Sequence, residues 1–202
     1  MKQLADAPMS RKAVFLDRDG VINHKLPDTP YITKVSEFHV LPGVGEALSI
    51  FKKLGFMLIL ITNQRGIARG FMTGEDLEAV HDYMQGELRK EYAPLDAIYH
   101  CPHEEFEYCN CRKPEPGMIL TASRDLNIDL DASYMVGDSL CDIGAGRGAG
   151  VRTVCIGPER HGDADMVFPN LLAFARFLWA QRSQSDGKKE IRGMEENRSA
   201  NE

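Results

Sequence analysis

The chain has 202 residues, of which 43% are hydrophobic and 27% are charged, and its formal net charge is −6 at pH 7. This length suits one domain with a sizeable core, and the acidic balance excludes the basic footprint of a nucleic-acid-binding protein. No apolar run approaches the ~18 residues that span a bilayer, and the first ten residues contain no apolar signal segment, so we expect a cytoplasmic protein without a membrane partner.

Strand and helix patterns alternate along the chain. Short apolar runs predict buried strands at 13–16, 56–61, 95–99, 133–138 and 152–156. Apolar residues at helical spacing, with capping residues, predict helices at 44–54, 73–92, 116–126, 142–148 and 168–182. The alternation predicts an α/β fold with a doubly wound, Rossmann-like parallel sheet. A flexible leader is expected over 1–11 and a disordered, charged tail over 183–202.

Two aspartates follow the first predicted strand. The apolar run that ends at Leu16 leads directly into Asp17, Arg18, Asp19 and Gly20. Open α/β sheets bind ligands at the carboxyl ends of their strands, and crowded carboxylates there favour a divalent cation. The alternative is an ordinary acidic turn, because Asp and Gly are common turn residues.

Further polar residues are predicted at the same sheet edge, after strands or before helices. They are Thr62 and Asn63, Arg112 and Lys113, and Asp138 and Asp142. With the first aspartate pair they supply a nucleophile, a hydroxyl, cations and metal-binding carboxylates, a set suited to phosphoryl transfer. Taken alone, Thr62 also fits a threonine at a strand end or helix cap. Taken alone, Lys113 also fits an ordinary surface lysine.

A cysteine cluster lies just before Arg112. Cys101, His103, Cys109 and Cys111 provide three thiolates and one imidazole, which match a closed tetrahedral Zn²⁺ site. The five cysteines of the chain are an odd number, which argues against a complete disulfide framework. We expect a structural zinc that stiffens this loop; incidental cysteines are the alternative. The other two, Cys141 and Cys155, are expected to be core residues.

The order of these motifs resembles the haloacid dehalogenase (HAD) superfamily of phosphohydrolases. The resemblance depends on four motifs: Asp-x-Asp-Gly at 17–20, Thr-Asn-Gln at 62–64, Lys113, and Gly-Asp-x-x-x-Asp at 137–142. The resemblance implies a HAD fold over 12–182, without a large cap domain and with a zinc-binding loop. It also implies a Mg²⁺-dependent phosphoric monoester hydrolase.

The resemblance assigns a role to each motif residue. Asp17 would attack phosphorus and form an aspartyl-phosphate, and Asp19 would act as general acid and then general base. Mg²⁺ would be held by the Asp17 and Asp138 carboxylates and the Asp19 backbone carbonyl. Thr62 and Lys113 would hold the phosphoryl oxygens.

Longer stretches are similar to one group in this superfamily, the D-glycero-D-manno-heptose 1,7-bisphosphate 7-phosphatases of lipopolysaccharide-precursor synthesis. These stretches are 63–70, 96–103, 111–118 and 132–138. The five-residue gap between His103 and Cys109 instead resembles the histidinol-phosphate phosphatases, and Ser139 stands where the heptose group often has lysine. The predicted substrate is therefore a heptose 1,7-bisphosphate. Histidinol phosphate or another small sugar phosphate is the alternative.

Several remaining assignments follow from the resemblance. The predicted substrate contacts are Arg18, Tyr31, Asn63, Gln64, Arg65 and Arg112. Asp142 would either support the metal site from behind or cap a helix. A phosphoacceptor receiver domain is the non-enzyme alternative, but its acidic pair and phosphorylated aspartate follow different strands. We expect a monomer with a small-molecule substrate and no nucleic-acid partner.

Overall fold

The computed structural model describes residues 10–27, 29, 31–158 and 162–183. Predictions for 1–9 of the leader and 184–202 of the tail lie outside the described residues. The core of the fold is one parallel sheet with strand order β3-β2-β1-β4-β5-β6. Its strands are β1 (Lys12–Leu16), β2 (Phe56–Asn63), β3 (Ala97–Cys101), β4 (Tyr134–Gly137), β5 (Arg152–Ile156) and β6 (Met166–Phe168).

Helices cover both faces of this sheet, which confirms the predicted doubly wound α/β architecture. They are α1 (Val44–Lys53), α2 (Gly74–Lys90), α3 (Gly117–Leu126), α4 (Leu140–Ala149) and α5 (residues 171–183). Short 3-10 turns lie at Val35–Glu37 and Glu105–Glu107. None of the helices in the described residues is long and apolar enough to cross a bilayer.

Two predictions for the later part of the chain were wrong. The closing helix does not begin at Phe168, because Met166–Phe168 pairs with β5 as the sixth strand. Pro169 disfavours helical backbone at the residue before it, and the side chain of Asn170 then accepts a hydrogen bond from Ala173 N at 2.9 Å, capping α5. Cys141, expected in the core, is exposed on α4.

The β1 residues alternate between two cores. Val14 and Leu16 face a core shared with α1, α2 and α5, whereas Ala13 and Phe15 face a core shared with α3 and α4. All four are fully buried, as expected for a parallel sheet covered on both faces. Burial of this kind contributes roughly 1.5–3 kcal/mol per large apolar side chain and fixes β1 at the centre of the domain.

The strand order reverses at β1, which lies between β2 and β4. Open α/β sheets bind ligands in the crevice at such a point, outside the carboxyl ends of the strands. The pairing continues one residue past β1, since Asp17 N donates to Val136 O at 3.0 Å. The aspartates that follow β1 and β4 therefore meet at one crevice.

Candidate active site

Lys113 lies at the centre of the crevice and is almost completely buried. Its Nζ donates to Asp17 Oδ1 at 2.7 Å, to Asp142 Oδ1 at 2.5 Å and to Ile61 O at 2.8 Å. These contacts use all three donors of the ammonium group. Although burial opposes the charged form, the two carboxylates raise the pKa of Lys113, so the ammonium stays protonated.

Asn63 fixes the backbone of Lys113. Its Nδ2 donates to Lys113 O and its Oδ1 accepts from Lys113 N, both at 3.0 Å. Asn63 is the last residue of β2, so this pair of bonds connects the sheet directly to the segment that follows the cysteine cluster. The structure thus gives Asn63, a predicted substrate contact, a positioning role.

Asp17, Asp138 and Asp142 form an acidic cluster in which one ligand oxygen of each lies within 4.8 Å of the others. Burial raises the pKa of Asp17 to about 7, Lys113 partly offsets this, and the nearby carboxylates add to it. Asp138 Oδ1 is buried and has no hydrogen-bond partner in the described part of the chain. Hard carboxylate oxygens and an unsatisfied buried acceptor fit a Mg²⁺ ion.

Asp142 both supports the cluster and caps α4. Its Oδ2 accepts from Ser139 N at 3.1 Å and from Ser139 Oγ at 2.5 Å, while its Oδ1 accepts from Lys113. The helix-capping alternative for Asp142 is therefore confirmed, and its second oxygen connects α4 to Lys113. Because its two oxygens are engaged by the protein, Asp17 and Asp138 are the better placed cation ligands.

Asp19 accepts hydrogen bonds from three side chains. Arg18 Nη2 donates to Oδ2 at 3.0 Å, Asn23 Nδ2 to Oδ1 at 3.0 Å, and Gln64 Nε2 to Oδ2 at 3.2 Å. Gln64 Nε2 also donates to Thr62 Oγ1 at 2.9 Å. This network holds the predicted acid/base, and it brings Thr62 to the same place in the crevice.

The structure does not place Arg18 as a substrate contact. The residue is fully buried, and its guanidinium lies between Asp19 and His81, whose Nε2 is 3.4 Å from Arg18 Nη1. Burial, followed by the charge of Arg18, lowers the pKa of His81 to about 3, so the ring stays neutral. The sequence analysis did not identify His81. The feature that could have shown it is its position as a polar residue on the otherwise apolar buried face of α2.

Lys25 was also missed by sequence reasoning. It follows Asn23 in the loop after β1, and its Nζ lies 2.5 Å from Asp138 Oδ2. The Lys25 side chain is 56% exposed, whereas that of Asp138 is 18% exposed. The structure thus adds a cation from the open side of the crevice, opposite the buried Lys113.

The four predicted zinc ligands come together in one cluster. Cys101 Sγ lies 3.6 Å from Cys109 Sγ and 3.3 Å from Cys111 Sγ, and His103 Nδ1 lies 3.3 Å from Cys111 Sγ. Tetrahedral Zn–S bonds of about 2.3 Å would separate sulfurs by about 3.8 Å, so these spacings fit a Zn²⁺ ion. Burial raises the pKa of the Cys101 thiol, a cost that a bound cation offsets by favouring the thiolate.

Two arginines converge beside this cluster. Arg65 Nη1 and Arg112 Nη2 donate to the same oxygen, Glu105 Oε1, at 2.8 and 3.4 Å. Tyr31 OH accepts from Arg65 Nε at 3.1 Å, and the Tyr31 ring stacks on Phe71 at 5.2 Å. Three predicted substrate contacts are therefore linked by hydrogen bonds around the Glu105 carboxylate.

A cavity of about 550 Å³ lies beside the cysteine cluster. Arg112 and Lys113 both line it, together with Glu105 and Tyr108 from the loop between the zinc ligands. The cavity therefore adjoins the segment that carries the two neighbouring cations, Arg112 and Lys113. A concave site with cationic residues in its lining suits a small anionic molecule.

Comparisons with known proteins agree with this geometry. A HAD-hydrolase-like family model matches residues 110–172. The chain is 41% identical over 184 residues to the D-glycero-beta-D-manno-heptose-1,7-bisphosphate 7-phosphatase of Haemophilus ducreyi, covering 84% of this chain and 100% of the relative. It is 43% identical over 173 residues to the enzyme of that name from Escherichia coli K12, covering 79% and 89%.

A solved structure is similar as well. The D,D-heptose 1,7-bisphosphate phosphatase of B. bronchiseptica, complexed with magnesium and phosphate, superposes with a TM-score of 0.77 and 32% identity. The match covers 84% of this chain and 99% of the other. The similarity therefore extends over nearly the whole of that phosphatase, crevice included.

Proposed function

The chain belongs to the HAD-type phosphatase family of the D-glycero-D-manno-heptose-1,7-bisphosphate 7-phosphatases, and we propose that it removes the 7-phosphate of a heptose 1,7-bisphosphate. The observation that supports this proposal most directly is the contact between Lys113 Nζ and Asp17 Oδ1 at 2.7 Å, one residue after Arg112, whose guanidinium lies at Glu105. Product formation would serve the synthesis of activated heptose for lipopolysaccharide precursors. The free thiols of the cysteine cluster suit the predicted cytoplasmic location, where thiols stay reduced.

The first step uses Asp17 as nucleophile. A carboxylate oxygen attacks phosphorus, the bond between phosphorus and the sugar oxygen breaks, and an aspartyl-phosphate forms on Asp17. Lys113 holds Asp17 in place and supplies positive charge to the phosphoryl oxygens as negative charge develops there. When bound at Asp17 and Asp138, Mg²⁺ supplies charge neutralisation between the anionic nucleophile and the anionic ester.

Asp19 moves the protons. It donates one to the departing sugar oxygen, and in the second step it takes one from the water that attacks the aspartyl-phosphate and releases inorganic phosphate. The bonds from Arg18, Asn23 and Gln64 restrict its carboxyl group to one orientation. Such positioning lowers the entropy cost of each proton transfer.

Arg112 and Arg65 are proposed to select the substrate. A planar guanidinium binds phosphate through two parallel hydrogen bonds, and two of them here already bind one carboxylate oxygen of Glu105. The 1-phosphate of a bisphosphate would bind at this position while the 7-phosphate lies at Asp17. Tyr31 orients Arg65 through its hydroxyl group.

Zinc is proposed as the structural ion of the cysteine cluster. With four protein ligands the site leaves no position for a reactive water. Cys111 immediately precedes Arg112 and Lys113, so fixing its thiolate fixes the segment that carries both cations. Thus the ion acts on substrate binding through the loop it stabilises.

The deciding experiment compares two substrates in the presence of Mg²⁺. We expect kcat/KM for heptose 1,7-bisphosphate to exceed that for histidinol phosphate by 100-fold or more, about 2.7 kcal/mol of transition-state discrimination. Phosphorus NMR would show loss of the 7-phosphate resonance with the 1-phosphate retained. Preference for histidinol phosphate would assign the chain to that reaction, and activity on neither would reject both substrates.

A further inference from the structure

Lys25 reaches the catalytic crevice from a loop rather than from the sheet. Its Nζ lies 2.5 Å from Asp138 Oδ2, and its side chain is more than half exposed. A Cβ added at Gly20 would lie 2.0 Å from Asp138 Oδ2 and 2.8 Å from Lys25 Cε. Glycine at this position, with φ of +94°, therefore leaves the space in which the lysine meets the carboxylate.

The two lysines of the crevice differ in freedom. Lys113 is buried and its three donors are bound to three acceptors, so its ammonium has a fixed position. Lys25 is open to solvent, and Asp138 is the acceptor that the described structure gives it. An exposed lysine on a loop can exchange one anionic partner for another at little cost in rotamer freedom.

Asp138 cannot favour both a bound Mg²⁺ ion and the Lys25 ammonium equally. Two cations at one carboxylate repel each other. A divalent ion also attracts the carboxylate more strongly than a single ammonium does. The adjacent Ser139 is uncharged and uses its hydroxyl on Asp142, so it offers no replacement cation. A bound Mg²⁺ ion would therefore free the Lys25 ammonium to take another anionic partner.

We propose that Lys25 is a substrate-binding residue that neutralises Asp138 in the metal-free protein and contacts a phosphoryl oxygen once Mg²⁺ has bound. The inference rests on the proposed function in that it requires an anionic phosphate in the crevice, but not a particular sugar. Its role differs from that of Lys113, which is fixed at the reaction centre. Lys25 contributes to binding and sets the metal affinity.

The first test measures Mg²⁺ affinity by calorimetry on the full chain without any substrate. We expect Lys25→Met to bind Mg²⁺ about threefold or more tightly than the unsubstituted protein, because a competing charge is removed, and Lys25→Arg to bind it nearly as the unsubstituted protein does. Lys52→Met is the matched control. Lys52 pairs with Asp96 at 3.1 Å, near the start of β3 and away from the crevice, so this change should leave the affinity unaltered.

The second test uses inorganic phosphate as the probe on the Mg²⁺-loaded protein. Lys25→Met should raise the dissociation constant of phosphate, and KM, about tenfold, with kcat changed less than about threefold. Weaker Mg²⁺ binding in Lys25→Met would instead show that Lys25 positions Asp138, and unchanged Mg²⁺ or phosphate affinity would also overturn the inference. Lys25→Met could show both the tighter Mg²⁺ binding and the weaker phosphate binding while the unsubstituted protein fails to hydrolyse heptose 1,7-bisphosphate. That result would overturn the proposed substrate and leave the role of Lys25 standing.

Discussion

The acidic crevice and the cysteine cluster are two candidate cation sites that differ in how the chain builds them. The crevice draws Asp17, Asp138 and Lys113 from three distant parts of the chain, and its oxygen ligands leave room for substrate. The four side chains of the cluster come from eleven consecutive residues at and after the end of β3, and their sulfur and nitrogen donors match a closed structural zinc site. A catalytic metal ion needs coordination positions that substrate and water can occupy, whereas a structural ion needs none. The oxygen donors of the crevice and the sulfur and nitrogen donors of the cluster match that difference.

The largest effect is expected from removing the nucleophile. Asp17→Asn should lower kcat by about 10⁴-fold or more, because the amide cannot form the phosphoryl-enzyme. Circular dichroism and thermal unfolding should show a folded protein, since the substitution conserves the side-chain shape. Near-normal turnover by a folded Asp17→Asn protein would remove Asp17 from the mechanism.

Breaking the cysteine cluster should reduce both stability and activity. Metal analysis should find about one zinc per chain, and Cys109→Ser should lose it with a decrease of about 3 kcal/mol in the free energy of unfolding. Added Mg²⁺ should not restore the lost activity, since the two sites take different ions. A zinc-free protein of full stability and activity would contradict the structural role.

A smaller effect is expected from removing Arg112, one of the two arginines at Glu105. Arg112→Met should raise KM for the bisphosphate about tenfold while changing turnover of a simple monophosphate ester little, because one phosphate contact is removed. Arg147→Met is the matched control, since Arg147 pairs with the exposed Asp163 on the surface. Equal losses on both substrates would indicate that Arg112 acts in the chemical step instead.

The last expected effect changes stability and not catalysis, and it concerns the neutral His81 behind Arg18. Its pKa in the fold, about 3, lies below the unfolded value near 6.5, so the unfolded chain binds more protons between these values. Stability should therefore decrease as pH falls below about 6.5, by up to about 1.4 kcal/mol per pH unit from this residue.

Urea unfolding at pH 7 and pH 5 measures that dependence. A His81→Asn variant should be less stable at pH 7, where it loses packing, and should lose less stability between the two pH values. The difference between the two proteins isolates the histidine from the other groups that titrate in this range. An identical pH dependence in both would show that His81 is not held neutral by its surroundings.

Much of the fold follows from patterns short enough to be seen in the sequence. The apolar run of β1 predicts a strand buried on both faces, and Thr73 is found at the N-cap of α2, where its Oγ accepts from Asp76 N. The ligand set of the cysteine cluster is equally local, since eleven residues contain all four donors. Local propensity and spacing decide such features because their parts are neighbours in the chain.

Other features were decided only when distant segments met. The sequence shows Arg18 beside two aspartates, but only packing against α2 buries it against His81 and removes it from the predicted substrate contacts. Nothing near Lys25 in the chain indicates that it meets Asp138, more than a hundred residues away. Composition and motifs thus determined the fold class, the nucleophile candidate and the candidate zinc ligands. Tertiary structure decided which charges pair, because an electrostatic partner is set by distance in space and by burial.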